Sequence, residues 1–168
     1  MRVLWAPWRV EYVTNASGGR RGCIFCEKPA QGRDEENLIV WRGEVCFVIL
    51  NRFPYNNGHF MVAPYRHVAR LDELTDEEVL ELWRLVSTGI SVIEETMKAE
   101  GFNVGINLGK VAGAGVEEHL HVHVVPRWGG DTNFMPVLAE VKVIPEHLSS
   151  TWRRLREGFE KALGGGGR

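Results

Sequence analysis

The chain has no long apolar run. Its 168 residues are 44% hydrophobic, yet nowhere do they assemble the roughly 20 consecutive apolar residues that a membrane-crossing helix needs, so no membrane partner is expected. Met1 to Arg9 also lack the apolar core of a secretory leader, which makes the cytoplasm the expected location. Charge of one sign is missing as well: 20 Lys and Arg stand against 22 Asp and Glu, for a net charge of −2. Composition therefore builds no basic face, a nucleic-acid partner is not expected, and any phosphate-bearing ligand has to be held by local groups. Cysteine is scarce. Cys23, Cys26 and Cys46 are an odd number, which argues against a disulfide framework, and the first two sit at a spacing shared by metal knuckles and redox pairs. No repeat of solenoid period is present. The length suits one core and is short for two ordinary domains.

What is present reads as an N-terminal arm over residues 1–22, a single domain over 23–163 and a flexible tail over 164–168. The arm is aromatic and ends in Ser17-Gly18-Gly19-Arg20-Arg21-Gly22, a loop composition. Leu38 to Arg42 and Val45 to Leu50 are rich in β-branched, aromatic and aliphatic residues and flank Gly43-Glu44, which predicts two strands joined by a tight turn. His59 to Ala63 follows as a third strand after the turn Asn56-Asn57-Gly58. Thr75-Asp76-Glu77-Glu78 is a capping box. The long helix it starts carries Val79, Leu82, Trp83, Val86, Ile90, Ile93 and Met97 at helical spacing, and Gly101 is placed to stop it. Strands are predicted at Phe102 to Leu108, His119 to Val125 and Leu138 to Ile144, with the glycine-rich loop 109–115 before the second of these. Leu148, Trp152, Leu155 and Phe159 mark a second helix. The sum is an α+β fold, a largely antiparallel sheet with two main helices.

The chemistry concentrates in His119-Leu120-His121-Val122-His123. Side chains alternate along a strand, so the three imidazoles share one face and Leu120, Val122 and Val124 the other, with neighbouring histidines roughly 7 Å apart. One histidine there would be an ordinary polar strand residue; three in alternation are a reactive or metal-binding surface. Imidazole serves as nucleophile or proton carrier near neutral pH, one nitrogen reacting while a partner holds the other. A single ion gathered by all three is the weaker option, because alternate strand positions rarely converge on one metal.

These residues, with Val124-Val125 after them, resemble the histidine triad family. The resemblance runs from about Cys23 to Trp128 and takes in 48–54 (Val-Ile-Leu-Asn-Arg-Phe-Pro), 58–64 (Gly-His-Phe-Met-Val-Ala-Pro) and 105–109 (Gly-Ile-Asn-Leu-Gly). Trp5-Ala6-Pro7-Trp8-Arg9 and the run 126–131 most resemble the bacterial diadenosine tetraphosphate phosphorylases and related hydrolases. The family implies a homodimer and an enzyme acting on adenine nucleotides or dinucleoside polyphosphates. In it His121 would attack the α-phosphorus to form a nucleotidyl-histidine, later resolved by water or phosphate, and His123 would meet the phosphate or leaving oxygen with its proton. A nucleoside phosphoramidase or adenylyl hydrolase would use the same intermediate. A regulatory module that binds adenine nucleotides without turnover is the reading from another class.

The resemblance also supplies the supporting residues. Asn107 would orient a phosphate oxygen or an imidazole, and Asn51 would contact the ribose hydroxyls, with a turn-forming role as its alternative. Backbone amides at Gly113 and Gly115 would cradle phosphate. Relatives usually carry glutamine or serine where this chain has Gly115, which leaves the choice of leaving group and acceptor open. Trp128 would stack on a base or pack at a dimer interface. Zinc-containing members join the cysteine pair to a Pro-x-x-His histidine and to the first triad histidine, here His67 and His119. Cys23, Cys26, His67 and His119 form a common structural zinc set, closed to substrate. His59 and His147 are read as structural and Cys46 as a core residue.

Overall fold

The computed structural model describes residues 22–132 and 144–164. In chain order these form α1 (Ile24–Ala30), α2 (Asp34–Asn37), β1 (Ile39–Arg42), β2 (Cys46–Leu50), β3 (Phe60–Pro64), α3 (Asp76–Met97), β4 (Gly101–Ile106), β5 (Val122–Arg127) and α4 (Leu148–Leu163). The strands make one antiparallel sheet in the order β1-β2-β3-β5-β4. No helix among the described residues is long and apolar enough to cross a membrane.

The capping box at Thr75 is formed. The Thr75 hydroxyl accepts from the Glu78 amide at 3.2 Å, and the Glu78 carboxylate accepts from the Thr75 amide at 2.9 Å, so two free amides of the first turn are satisfied reciprocally. Helix α3 then runs to Met97 and turns out through Lys98, whose φ of 55° is left-handed. The stop is therefore Lys98 and not Gly101. The Glu100 amide already donates to the Arg127 carbonyl at 2.9 Å, so the chain has joined the ladder with β5 before Gly101 begins β4.

Helices α3 and α4 lie on one face of the sheet, and residues of β2 and β3 are buried on both of their faces. Close approach depends on two glycines. A Cβ at Gly89 of α3 would stand 2.4 Å from the Phe60 ring, and one at Gly158 of α4 would stand 2.4 Å from Val92. Helix α4 is also tied down by polar groups: Trp152 Nε1 donates to the Ile39 carbonyl at 2.8 Å, and the buried Thr151 hydroxyl donates to Asn57 Oδ1 at 3.1 Å. The other sheet face carries Phe47, Met61 and Ala63. It is covered in part by α1, whose Phe25 ring centroid is 6.4 Å from that of Phe47.

Sequence patterning does not anticipate α1 and α2, which are short and have no regular apolar stripe. The strand expected at His119 to Val125 begins only at Val122. Before it, the Leu120 amide bonds to the Val68 carbonyl at 2.6 Å, outside the sheet ladder. The arm over 1–21, positions 138–143 of the strand expected at Leu138 to Ile144, and the tail over 165–168 lie outside the described residues.

Candidate active site and metal centre

Two sites share the segment His119 to His123. The first gathers Cys23, beginning α1, Cys26 within it, His67 after β3 and His119. Their ligand atoms all lie within 4.8 Å of one another. His119 Nδ1 is 3.3 Å from Cys23 Sγ, 3.6 Å from Cys26 Sγ and 3.3 Å from His67 Nδ1, and Cys26 Sγ is 3.4 Å from His67 Nδ1. Bonds of about 2.0 Å to nitrogen and 2.3 Å to sulfur put tetrahedral ligands roughly 3.3–3.8 Å apart, and the four distances just given already fall in that range. The outer partner of His119 supports this. Its Nε2 lies 2.9 Å from the Pro64 carbonyl; a carbonyl only accepts, so Nε2 carries the proton and Nδ1 presents a bare lone pair to the cluster. Burial lowers the His119 pKa and keeps the ring neutral. Burial and then the neighbouring Cys23 thiol push the Cys26 thiol up to about 11. These four residues could hold a metal ion.

The second site is built on His121 and His123. His121 Nδ1 lies 2.8 Å from the His119 carbonyl, so Nδ1 is the protonated nitrogen and Nε2 keeps its lone pair. Burial lowers the pKa of His121 below the ordinary imidazole value, leaving it neutral near pH 7. Phe25 supplies much of that burial: its ring centroid is 4.6 Å from that of His121 and 5.2 Å from that of His119. The imidazoles therefore do not form an open wet face opposite a dry one. His119 and His121 are as buried as Leu120 and Val122, because α1 packs its aromatic ring over them. The His121 and His123 rings are 4.8 Å apart and nearly perpendicular, closer than the strand spacing suggests, since only His123 sits in the regular ladder.

His123 lines a cleft of about 370 Å³ together with Asn107, Tyr55, Asn103, Gly105 and Val125. Asn107 and His123 are thus brought together. Asn51, just after β2, accepts from the Phe53 amide at 2.9 Å and so forms a local turn. The Gly113 amide closes a 3-10 turn onto the Lys110 carbonyl at 3.0 Å with φ of 89°, while Gly115 is exposed in a bend. Trp128 is half-buried, its Nε1 donating to the Met97 carbonyl at 3.1 Å, and it does not line the cleft around His123.

Two residues at the site escape the sequence reading. Phe25 lies in α1 with no periodicity to mark it. His59, read as structural, puts Nε2 3.0 Å from His123 Nδ1. The signal for His59 is parity: His59, Met61 and Ala63 share a face, and Met61 pairs with His123, which sets His59 diagonally beside it. Using that signal requires knowing that β3 pairs with β5, across the whole of α3.

Residues 33–130 match the HIT domain, and the chain belongs to that family. Over 162 residues, 92% of this chain and 83% of the relative, it is 47% identical to the AP-4-A phosphorylase of Mycobacterium tuberculosis. It is 39% identical over 92 residues to the bis(5'-adenosyl)-triphosphatase of Dictyostelium discoideum, covering 55% of this chain and 61% of that one. Among solved structures it superposes on a Zn-bound histidine triad family protein from Mycobacterium smegmatis with a TM-score of 0.68 at 26% identity, spanning 86% of this chain and 97% of the other. The α+β fold with its antiparallel sheet is that of the family.

Proposed function

We propose that the chain cleaves dinucleoside polyphosphates, with adenosine as the nucleoside, at the α-phosphorus through His121. The observation that carries this reading is the pinned imidazole of His121, buried and neutral, with Nδ1 given to the His119 carbonyl and Nε2 left as a lone pair. The likeness to an AP-4-A phosphorylase supplies the substrate class and makes inorganic phosphate the first choice of acceptor.

In this reading the Nε2 lone pair forms a bond to the α-phosphorus while the bond from phosphorus to the bridging oxygen breaks. The electron pair leaves with the remaining phosphate chain, which His123 meets with a hydrogen bond. An oxygen of phosphate then attacks the phosphorus, the P–N bond breaks, and His121 recovers its lone pair. Asn107, beside His123 in the cleft, orients a phosphate oxygen. Asn51 faces the ribose diol. Of the loop amides, that of Gly115 is the better phosphate donor, because that of Gly113 already closes its own turn. Trp128 is read as a packing residue at the end of α3.

Cys23, Cys26, His67 and His119 are proposed to hold zinc, which when bound supplies a closed tetrahedral brace. With His119 so held, its carbonyl is fixed where His121 Nδ1 donates. A homodimer and a cytoplasmic location complete the reading. Hydrolysis is the second option for the acceptor, favoured by Gly115, which withholds a side-chain contact from the phosphate. Incubation with diadenosine tetraphosphate, with and without phosphate, decides between them. ADP and ATP appearing only with phosphate is the expected result, AMP and ATP without phosphate would make water the acceptor, and no turnover under either condition would overturn the proposal.

A further inference from the structure

His59 is buried, touches the triad and has no part in the scheme above. Its hydrogen bonds determine more than its own state. The Tyr55 backbone amide lies 3.1 Å from His59 Nδ1, and a backbone amide can only donate. His59 Nδ1 must therefore be the unprotonated nitrogen, and the proton of the ring resides on Nε2. That nitrogen is 3.0 Å from His123 Nδ1. Since His59 Nε2 donates, His123 Nδ1 must accept, and the proton of His123 is driven to its Nε2.

We propose that His59 is a positioning residue that holds His123 as the neutral Nε2–H tautomer, with the Tyr55 amide as the fixed end of the relay. His123 then offers the leaving oxygen an N–H donor and not a competing lone pair, so that His121 and His123, two residues apart, keep opposite roles: Nδ1–H with a bare Nε2 in one, and a bare Nδ1 with Nε2–H in the other. Fold geometry holds the relay from several sides. The Tyr55 ring stacks on His59 at 5.0 Å and 16°. The Asn56 amide donates to the Pro126 carbonyl at 2.9 Å and to Asp131 Oδ2 at 2.8 Å, and Asn57 accepts from Thr151 of α4 at 3.1 Å. The turn that presents the Tyr55 amide is thereby anchored to the end of β5 and to the C-terminal helix.

The donor role rests on the proposed cleavage; the tautomer does not. The test therefore has one readout on the resting protein. Nitrogen NMR of the ¹⁵N-histidine-labelled protein, with His123 assigned by the signal lost in His123→Ala, should show a pyridine-type Nδ1 and a pyrrole-type Nε2 for His123. A pyrrole-type Nδ1, or a ring averaged between tautomers, would overturn the proposal. In kinetics with diadenosine tetraphosphate, His59→Leu should lower kcat by roughly 10- to 100-fold with KM nearly constant, since misplacing a proton carrier costs its general-acid contribution. His59→Gln, which can place an amide N–H where Nε2 stood, should recover a large part. An unchanged kcat in His59→Leu would also overturn it. If the leucine variant does not fold, the glutamine variant and the wild-type spectrum still decide. Should the wild type show the expected tautomer yet cleave no dinucleoside polyphosphate, the proposed function fails and the relay stands.

Discussion

Replacing Phe25 with alanine should report how firmly the proposed zinc site holds α1 in place. Phe25 is only 1% exposed and packs against Phe47, His119 and His121. Phe→Ala in such a setting costs about 3–5 kcal/mol, the value depending on how far the surroundings collapse into the hole. Here the collapse is controlled by residues next to it in sequence: Cys23 and Cys26 bracket Phe25, and both reach the centre shared with His67 and His119. With zinc bound, α1 cannot move inward, the cavity persists and the loss should approach about 5 kcal/mol. With the metal chelated, α1 is released to settle and the same substitution should cost nearer 3 kcal/mol. At about 2–4 °C per kcal/mol for a domain of this size, the loaded variant should melt roughly 10–20 °C below its parent. Urea denaturation of both proteins, each with zinc and with chelator, measures the four stabilities. Equal costs with and without metal would refute the claim that the centre braces α1 over the histidines.

Glu78 gives a pH prediction. The Arg66 guanidinium, bonded through Nε and a terminal nitrogen at 2.7 Å each, and then the Thr75 amide hold its carboxyl near 2, against an ordinary 4.5. The folded-state value is depressed, so the stabilisation is fully present above pH 4.5 and is lost as pH falls toward 2. A shift of that size is worth at most about 3 kcal/mol, and nearer 1–2 kcal/mol because Arg66 faces water. In metal-free protein, Glu78→Gln should therefore lower the urea midpoint at pH 7 and lower it several-fold less at pH 2.5, the remainder being lost as pH falls through 2; an equal loss at pH 7 and 2.5 would contradict the linkage. Glu81 accepts from the amides of Glu44, Val45 and Cys46 at 2.8, 2.6 and 2.6 Å. Glu81→Ala should cost about 2 kcal/mol by stranding these donors, with Glu81→Gln recovering part in the same denaturation assay. Gly89→Ala should destabilise by about 1–3 kcal/mol despite the better helix former, because Phe60 has no room to yield; a gain in melting temperature would show that the helix can shift.

Where neighbours along the chain decide the structure, the sequence is readable. The Thr75 capping box with the helix it starts, and the β-branched, aromatic and aliphatic runs of β2 and β3, are set by contacts within a few residues, and each appears close to its expected position; of the apolar residues expected to line α3, Val79 and Trp83 are exposed. The His-x-His-x-His run and the cysteine pair are equally visible, because residue type and spacing carry their chemistry. Other features depend on contacts distant in sequence. Lys98 ends α3 because Glu100 must pair with Arg127. His119 and His121 are buried because α1, some 95 residues earlier, lays Phe25 on them. His59 meets His123 only through the pairing of β3 with β5, 64 residues apart, and no local pattern encodes that register.

Cleavage as proposed requires His121 Nε2 to be the attacking atom. Rapid quenching of the protein mixed with diadenosine tetraphosphate in the absence of phosphate, followed by mass spectrometry of the peptide containing 119–123, tests it directly. One adenylyl group on His121, absent from His121→Ala and discharged on adding phosphate, is the predicted result. Turnover with full activity in His121→Ala, or an adenylyl group found on His123 or His59 instead, would contradict it.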